Sequence, residues 1–168
     1  TLDDVRQLLA APGAVGMPTC PLMHGTGAFT AISVLNTGGC VVTLTQRNFD
    51  PVEMLDTVER EGVNVIAIVG DAFAKPILRA LEAQPGKWNL SSLIGMVSSG
   101  VMCSEETKQG LLRHHPGMLL IDAFSSSEAL GMGTSVSSAG GTQSTARFAL
   151  GENAIVVTDD GRRVEPGS

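Results

Sequence analysis

Charge is scarce in this sequence: only 17% of its 168 residues are Asp, Glu, Lys or Arg, against 43% hydrophobic residues. That balance excludes an intrinsically disordered chain and is sufficient for one sizeable core. Basic residues are the scarcer sign, and the formal net charge is -6. No basic stripe exists to track a phosphate backbone, which argues against nucleic-acid binding. Cysteine is rare and odd in number: Cys20, Cys40 and Cys103 are far apart and form no C-x-x-C pair. They read as reduced, packed thiols of a cytoplasmic protein. Long apolar runs are missing, so a transmembrane segment is not expected. The opening Thr1-Leu2-Asp3-Asp4 also lacks the basic and apolar regions of a secretory leader. The chain starts without Met inside an apparent helix and stops at Glu165-Pro166-Gly167-Ser168, so both ends read as cuts through a longer protein.

What is present is an alternation of strand and helix signals. Thr1 suits the cap of a short helix with Asp3 and Asp4 in its first turn. Pro12, Gly13, Gly16 and Pro18 mark a loop. Gly25-Thr26-Gly27 then opens an apolar helix of about a dozen residues, stopped by Gly38-Gly39. Cys40 to Leu44 is β-branched and reads as a strand. Asp50-Pro51-Val52-Glu53 is a strong helix start, with Val52, Leu55 and Val58 on one face and Gly62 as the stop.

The pattern then repeats. Val63 to Val69 reads as a buried strand, and Asp71 as the cap of a helix carrying Ile77, Leu78 and Leu81. Leu93 to Val97 is the next strand, and Ser104 caps a helix that reaches His114. Met118 to Ile121 is a fourth strand. Continuously apolar strands alternating with helices predict an α/β fold, a parallel sheet with helices on both faces. After Gly133 the style changes. Short strands near Thr134 to Val136 and Ala154 to Thr158, with a turn at Asp159-Asp160-Gly161, predict a closing antiparallel β segment. The expected division is an α/β subdomain over 1–133 and the start of a β subdomain over 134–168.

In an open parallel sheet, ligands bind beyond the carboxyl ends of the strands. Three such ends stand out: Gly70-Asp71, Ser98-Ser99-Gly100, and Asp122-Ala123-Phe124 followed by Ser125-Ser126-Ser127-Glu128. The third is the richest. Phe124 has a flat face for an aromatic ring, the hydroxyls suit phosphate oxygens, and Glu128 is a hard oxygen ligand for Mg²⁺. A polar loop leading into a serine-capped helix would produce the same letters.

Three segments, in order, carry a resemblance: Pro21-Leu22-Met23-His24-Gly25, Ser99-Gly100-Val101-Met102 and Asp122 to Glu128. They resemble successive motifs of the acyl-CoA synthetase branch of the adenylate-forming, AMP-binding superfamily, and the resemblance covers essentially the whole chain. It implies a parent enzyme in which a fatty or other carboxylic acid attacks ATP to give acyl-adenylate and pyrophosphate, after which coenzyme A displaces AMP. Phe124 matches the family's adenine-stacking aromatic. Ser127 matches the hydroxyl on the α-phosphate, and Glu128 the Mg²⁺ carboxylate. Ser99, Gly100 and Val101, with Asp122, Ala123 and Ser125, match the nucleotide slot. His24 matches the mouth of the acyl pocket, and Gly70 and Asp71 fall where the family builds that pocket's wall. The sequence departs from the family at Ser125, where Gly is usual, at Val101-Met102, where a small pair is usual, and at Phe124, where Tyr is commoner.

The resemblance also places the family's phosphate loop before Thr1, and its ribose-binding Asp, hinge and C-terminal lysine after Ser168. A polyphosphate would then find its cations outside this stretch, so the isolated chain is expected to be inactive. Two rivals remain at this level: an acyl-AMP ligase delivering to a carrier protein, and a non-catalytic α/β binding module. Other features read as structural. Gly25-Thr26-Gly27 lacks the third glycine and preceding strand of a dinucleotide fingerprint. Ser98-Ser99-Gly100 lacks the spacing of a nucleophile elbow. His114-His115 suits a helix C-terminus.

Overall fold

The structure, a computed structural model, describes Leu2 and residues 13–141 and 147–164. The helix expected at Thr1 to Asp4 falls outside the described residues, Leu2 apart. Among the described residues the centre of the fold is a seven-stranded sheet. Strands β1 (Val15–Pro18), β2 (Cys40–Val41), β3 (Val65–Ile68), β4 (Gly95–Ser99) and β5 (Leu119–Phe124) are parallel; β6 (Gly133–Ser137) and β7 (Ala149–Leu150) are antiparallel additions. The spatial order is β2-β1-β3-β4-β5-β6-β7. Helix α1 (Gly25–Asn36) joins β1 to β2, α2 (Pro51–Glu61) joins β2 to β3, α3 (Gly70–Ala83) joins β3 to β4, and α4 (Glu105–His114) joins β4 to β5.

The order dictates the layers. The chain moves one way from β1 to β2 and the other way in each later crossover. Right-handed connections therefore put α1 on one face and α2, α3 and α4 on the opposite face. Strand parity agrees. Val15 and Met17 belong with the core formed by Met54, Leu55, Val58, Ile77, Leu111 and Leu112. Gly16, between them, turns to α1, where an added Cβ would sit 2.5 Å from Val34 Cγ2. The expectation of a parallel α/β sheet with helices on both faces and an antiparallel end is met.

Local signals set several boundaries. Asp50 Oδ1 accepts from Val52 N–H at 2.8 Å, Pro51 opens α2, and Gly62 closes it at φ +62. Gly161, at φ +82, makes the expected turn, with Val157 bridged to Arg163.

Other expectations are corrected. Residues Val15–Pro18 form a central strand, not a loop. Glycine is there because α1 packs onto it, and Pro18 stands at the strand's last position, where its missing N–H interrupts little of the ladder. Strand β2 is two residues long rather than five. β4 runs to Ser99 and β5 to Phe124, so both reach further toward the ligand edge than expected. Asp71 does not cap α3. The capping position is Val69, whose own side chain makes no cap bond, and the first helical N–H, on Gly70, goes to Ser98 Oγ. Ser104 does occupy the capping position of α4, but its hydroxyl goes to Asp71 and Thr107 instead of the helix backbone. The last two-residue strand is Ala149–Leu150, and residues 154–158 contain only a single bridge. The boundary of the expected division, 133/134, lies within β6 (Gly133–Ser137), which is hydrogen-bonded to β5 along Leu120 to Phe124.

Helices α3 and α4 pack through a glycine. A Cβ at Gly110 would lie 2.5 Å from Leu78 Cδ2. Gly110→Val should overpack this contact and lower stability by about 1–3 kcal/mol, read as a reduced denaturation midpoint.

Candidate active site

Two cavities lie at the carboxyl edge of the sheet, one on each face. Strand parity puts them there. Ser98, Asp122 and Phe124 turn toward α4 and line a cavity of about 280 Å³. Val97, with Thr26, Phe29 and Thr30 of α1, lines a second cavity of about 430 Å³ on the opposite face. Ser99, Gly100, Ala123 and Ser125 line both. These four residues form a ridge where the ends of β4 and β5, paired through Ser99 and Ala123, separate the two spaces. All seven expected nucleotide-slot residues, Ser99, Gly100, Val101, Asp122, Ala123, Phe124 and Ser125, line the first cavity.

The loop over the first cavity is clamped from α3. Gly70 N–H donates to Ser98 Oγ at 3.2 Å, and Asp71 N–H to Met102 O at 3.2 Å. Asp71 Oδ1 accepts from both Ser104 N–H, at 2.9 Å, and Ser104 Oγ, at 3.1 Å, while Oδ2 meets Lys75 Nζ at 3.0 Å. Burial pushes the Asp71 carboxyl up, but the bonds from Ser104 and Lys75 outweigh it and hold the group below the usual carboxylate range. A folded-state pKa below the unfolded one stabilises at neutral pH. The clamp loosens only when acid reaches the carboxyl's lowered range. Gly70 stands at φ +52, and a Cβ added there would lie 2.6 Å from both Met102 O and Val101 O. Gly70 and Asp71 line neither cavity. They set the position of the 100–104 loop.

The serine segment uses part of its polarity on itself. Ser125 Oγ accepts from Gly131 N–H at 3.0 Å, Ser126 Oγ from Ala129 N–H at 3.1 Å, and Ser126 N–H donates to Ala129 O at 2.9 Å. No helix follows; the segment is a folded loop to β6. The Ser125 hydroxyl therefore has a structural task that glycine could not perform. Ser127 lines the second cavity and stands near the start of α1, 3.7 Å from a Cβ position at Gly25. Glu128 is exposed and lines neither cavity.

His24 precedes α1, and its Nδ1 accepts from Thr26 N–H at 3.2 Å. In the neutral ring that leaves the proton on Nε2. The ring's far edge reaches the ridge: a Cβ at Gly100 would lie 3.2 Å from Cε1 and 3.5 Å from Nε2 of His24.

Several lining residues were not legible as such. Phe148, just before β7, completes the first cavity and pairs with Phe124, ring centroids 5.8 Å apart at 40°. Phe29 lines the second cavity. Five phenylalanines, one tryptophan and no tyrosine make each aromatic worth placing, but nothing local marks Phe148. Cys103 is buried under the first cavity. Burial, then the charges of Asp122 and Asp71, push its thiol up to about 12. It is a packed thiol and not a nucleophile at neutral pH. Among the described residues no group of three or more His, Cys, Asp or Glu could hold a metal ion by itself. Mg²⁺, which is commonly held by one or two carboxylates plus substrate phosphates and water, does not need such a group, so a lone Glu128 fits that mode. No helix among the described residues is long and apolar enough to cross a membrane.

The sequence and the fold have known relatives. The chain is 32% identical over 167 residues to the medium/long-chain-fatty-acid–CoA/3-oxocholest-4-en-26-oate–CoA ligase of Mycolicibacterium smegmatis, covering 97% of this chain and 30% of that protein. It is 35% identical over 162 residues to the 3-oxocholest-4-en-26-oate–CoA ligase of Rhodococcus rhodochrous, covering 94% of this chain and 29% of that one. The chain thus spans about 30% of the length of these curated relatives. The fold matches the amide bond synthetase McbA of Marinactinospora thermotolerans, with TM-score 0.71, 18% identity, and coverage of 99% of this chain and 34% of that one. It also matches the luciferase-like enzyme of the mealworm Zophobas morio, with TM-score 0.72, 14% identity, and coverage of 98% and 39%. The profile of the AMP-binding enzyme family matches residues 3–168, and the chain belongs to that family.

Proposed function

We propose that this chain is the nucleotide- and acid-binding centre of an ATP-dependent acyl-CoA ligase acting on an apolar carboxylic acid. The observation that carries this reading is the ridge of Ser99, Gly100, Ala123 and Ser125, which two cavities share. A ligase of this type must hold an adenine and an acid on separate surfaces and bring the acid's carboxylate to the α-phosphate. Purine in the first cavity, against Phe124, and acyl chain in the second, against Phe29 and Val97, would meet at the ridge. His24 Nε2–H would supply a hydrogen-bond donor there, and the Ser127 hydroxyl would take an α-phosphate oxygen. Glu128 would offer one hard oxygen to Mg²⁺, which offsets phosphate charge when bound. The substrates named for the relatives, medium- and long-chain fatty acids and 3-oxocholest-4-en-26-oate, suggest a long or bulky apolar tail. An enzyme of this chemistry fits the cytoplasm, where ATP and coenzyme A are plentiful.

Among the described residues no lysine or arginine lines either cavity, so the cations for a polyphosphate would come from other parts of the full-length protein. The 168-residue chain alone is accordingly expected to form no acyl-CoA. The test is ATP-dependent thioester formation by the full-length protein with a long-chain fatty acid or the steroid acid, offering coenzyme A or a carrier-protein thiol. Acyl-CoA is the expected product. Transfer only to the carrier protein would make it an acyl-AMP ligase, and no ATP consumption with any acid would leave a binding module. Phe148→Ala in the same protein should raise the KM for ATP about 3- to 10-fold, as expected for losing one ring contact; an unchanged KM would remove Phe148 from the purine slot.

A further inference from the structure

Among the described residues the largest fully buried side chain is a lysine. Lys108 is 0% exposed and sits on the inner face of α4, one turn before Leu111 and Leu112. An ammonium taken wholly out of water is costly unless it is paired and hydrogen-bonded. Its partner is Asp122: Lys108 Nζ donates to Asp122 Oδ2 at 2.7 Å. Glu105 Oε2 is further off, at 3.9 Å, and Cys103 is packed beside the pair as a neutral thiol. The pair joins α4 to the end of β5 directly beneath the first cavity, whose wall includes Asp122 itself. Lysine lines neither cavity, so it touches no ligand directly.

We infer that Lys108 is a positioning residue that fixes the Asp122 carboxylate as a hydrogen-bond acceptor in the purine slot, and so selects a 6-amino purine over a 6-oxo purine. This rests on the nucleotide reading of the first cavity. The ion pair occupies Oδ2 and restrains rotation of the carboxylate, which leaves Oδ1 as the acceptor for a ligand. An ionised carboxylate has only acceptors. It can take a hydrogen bond from the amino group of adenine, but it faces the carbonyl of hypoxanthine or guanine acceptor to acceptor. A site whose buried polar group is left unpaired by the wrong ligand discriminates strongly. Lys108 thus acts on nucleotide choice through Asp122.

The experiment compares kcat/KM for ATP and for ITP in full-length wild type, Lys108→Met, Asp122→Asn and the double variant. Wild type should favour ATP. Lys108→Met removes the tether, and the ATP-to-ITP ratio should fall about tenfold or more, equivalent to about 1.4 kcal/mol. Asp122→Asn, which can turn an N–H toward a 6-oxo group, should lower the ratio similarly. In the double variant Lys108 has nothing left to position, so its ratio should equal that of Asp122→Asn. If Lys108→Met does not fold, Lys108→Gln, a neutral side chain that keeps a hydrogen-bond donor, takes its place: its ATP-to-ITP ratio should also fall, and an unchanged ratio overturns the inference. A merely structural lysine would reduce use of both nucleotides equally and leave the ratio unchanged, which overturns the inference. So does a double variant whose ratio differs from that of Asp122→Asn. Absence of ATP-dependent activity in wild type would instead overturn the ligase reading, a distinguishable outcome.

Discussion

Glu128→Ala in the full-length protein is expected to lower acyl-CoA formation by about 10²- to 10³-fold, the usual scale for removing one group aimed at transition-state charge. The fold should not change. Glu128 is exposed on the loop after β5 and lines neither of the two cavities, while the loop's shape is held by the Ser125 and Ser126 bonds to Gly131 and Ala129. The loss should therefore fall on kcat, with the denaturation midpoint within the range of an ordinary surface substitution. Glu128→Gln should be nearly as damaging, since it keeps shape and removes charge. Both variants should need more Mg²⁺ to reach half-maximal rate. An unchanged rate in Glu128→Ala would remove this carboxylate from the metal site.

Gly100→Val should cost both binding functions at once. Gly100 stands at φ +89, a region that β-branched residues scarcely occupy. Forcing valine there costs about 1–3 kcal/mol in backbone strain. The added carbons would also press on His24, whose Cε1 lies 3.2 Å from the Cβ position. Because Gly100 lines both cavities, the substitution narrows the proposed purine slot and shifts the proposed acid mouth together. A fall in kcat/KM of about 10²-fold or more is expected with respect to both ATP and acid, since misplacement of about an ångström can cost that much. Calorimetry should show weakened ATP binding. Wild-type affinity for ATP in Gly100→Val would contradict the placement of the slot.

The helices were legible where their signals are local. Asp50, Pro51 and Gly62 bound α2 through contacts within a turn of themselves, and three consecutive readings from Val63 onward located β3, β4 and β5 within a few residues. The failures share a different cause. Gly16 looked like a loop residue because its reason, the side chain of Val34 on α1, is 18 positions away and invisible to local pattern. Asp71 looked like a helix cap, yet its carboxylate is committed to Ser104, 33 positions on. The carboxyl edge of the sheet, where the cavities lie, follows from topology alone, but the division into two cavities depends on which residues of β4 and β5 face α4, and that follows from strand parity. Phe148 reaches the first cavity only because β7 pairs with β6. Lys108 did leave a trace: it lies three and four positions before Leu111 and Leu112, on the apolar stripe of α4, where a charge demands a partner.

The placement of purine and acyl chain on opposite faces of the sheet is best tested by a structure of the full-length protein with a stable acyl-adenylate mimic, an acyl-sulfamoyl adenosine carrying a long apolar chain. The purine should lie in the cavity of Phe124, Phe148 and Asp122, the sulfamate at the ridge of Ser99, Gly100 and Ala123, and the acyl chain in the cavity of His24, Phe29 and Val97 on the other face. A purine bound on the α1 side, or an acyl chain that leaves the ridge without entering that second cavity, would contradict this placement.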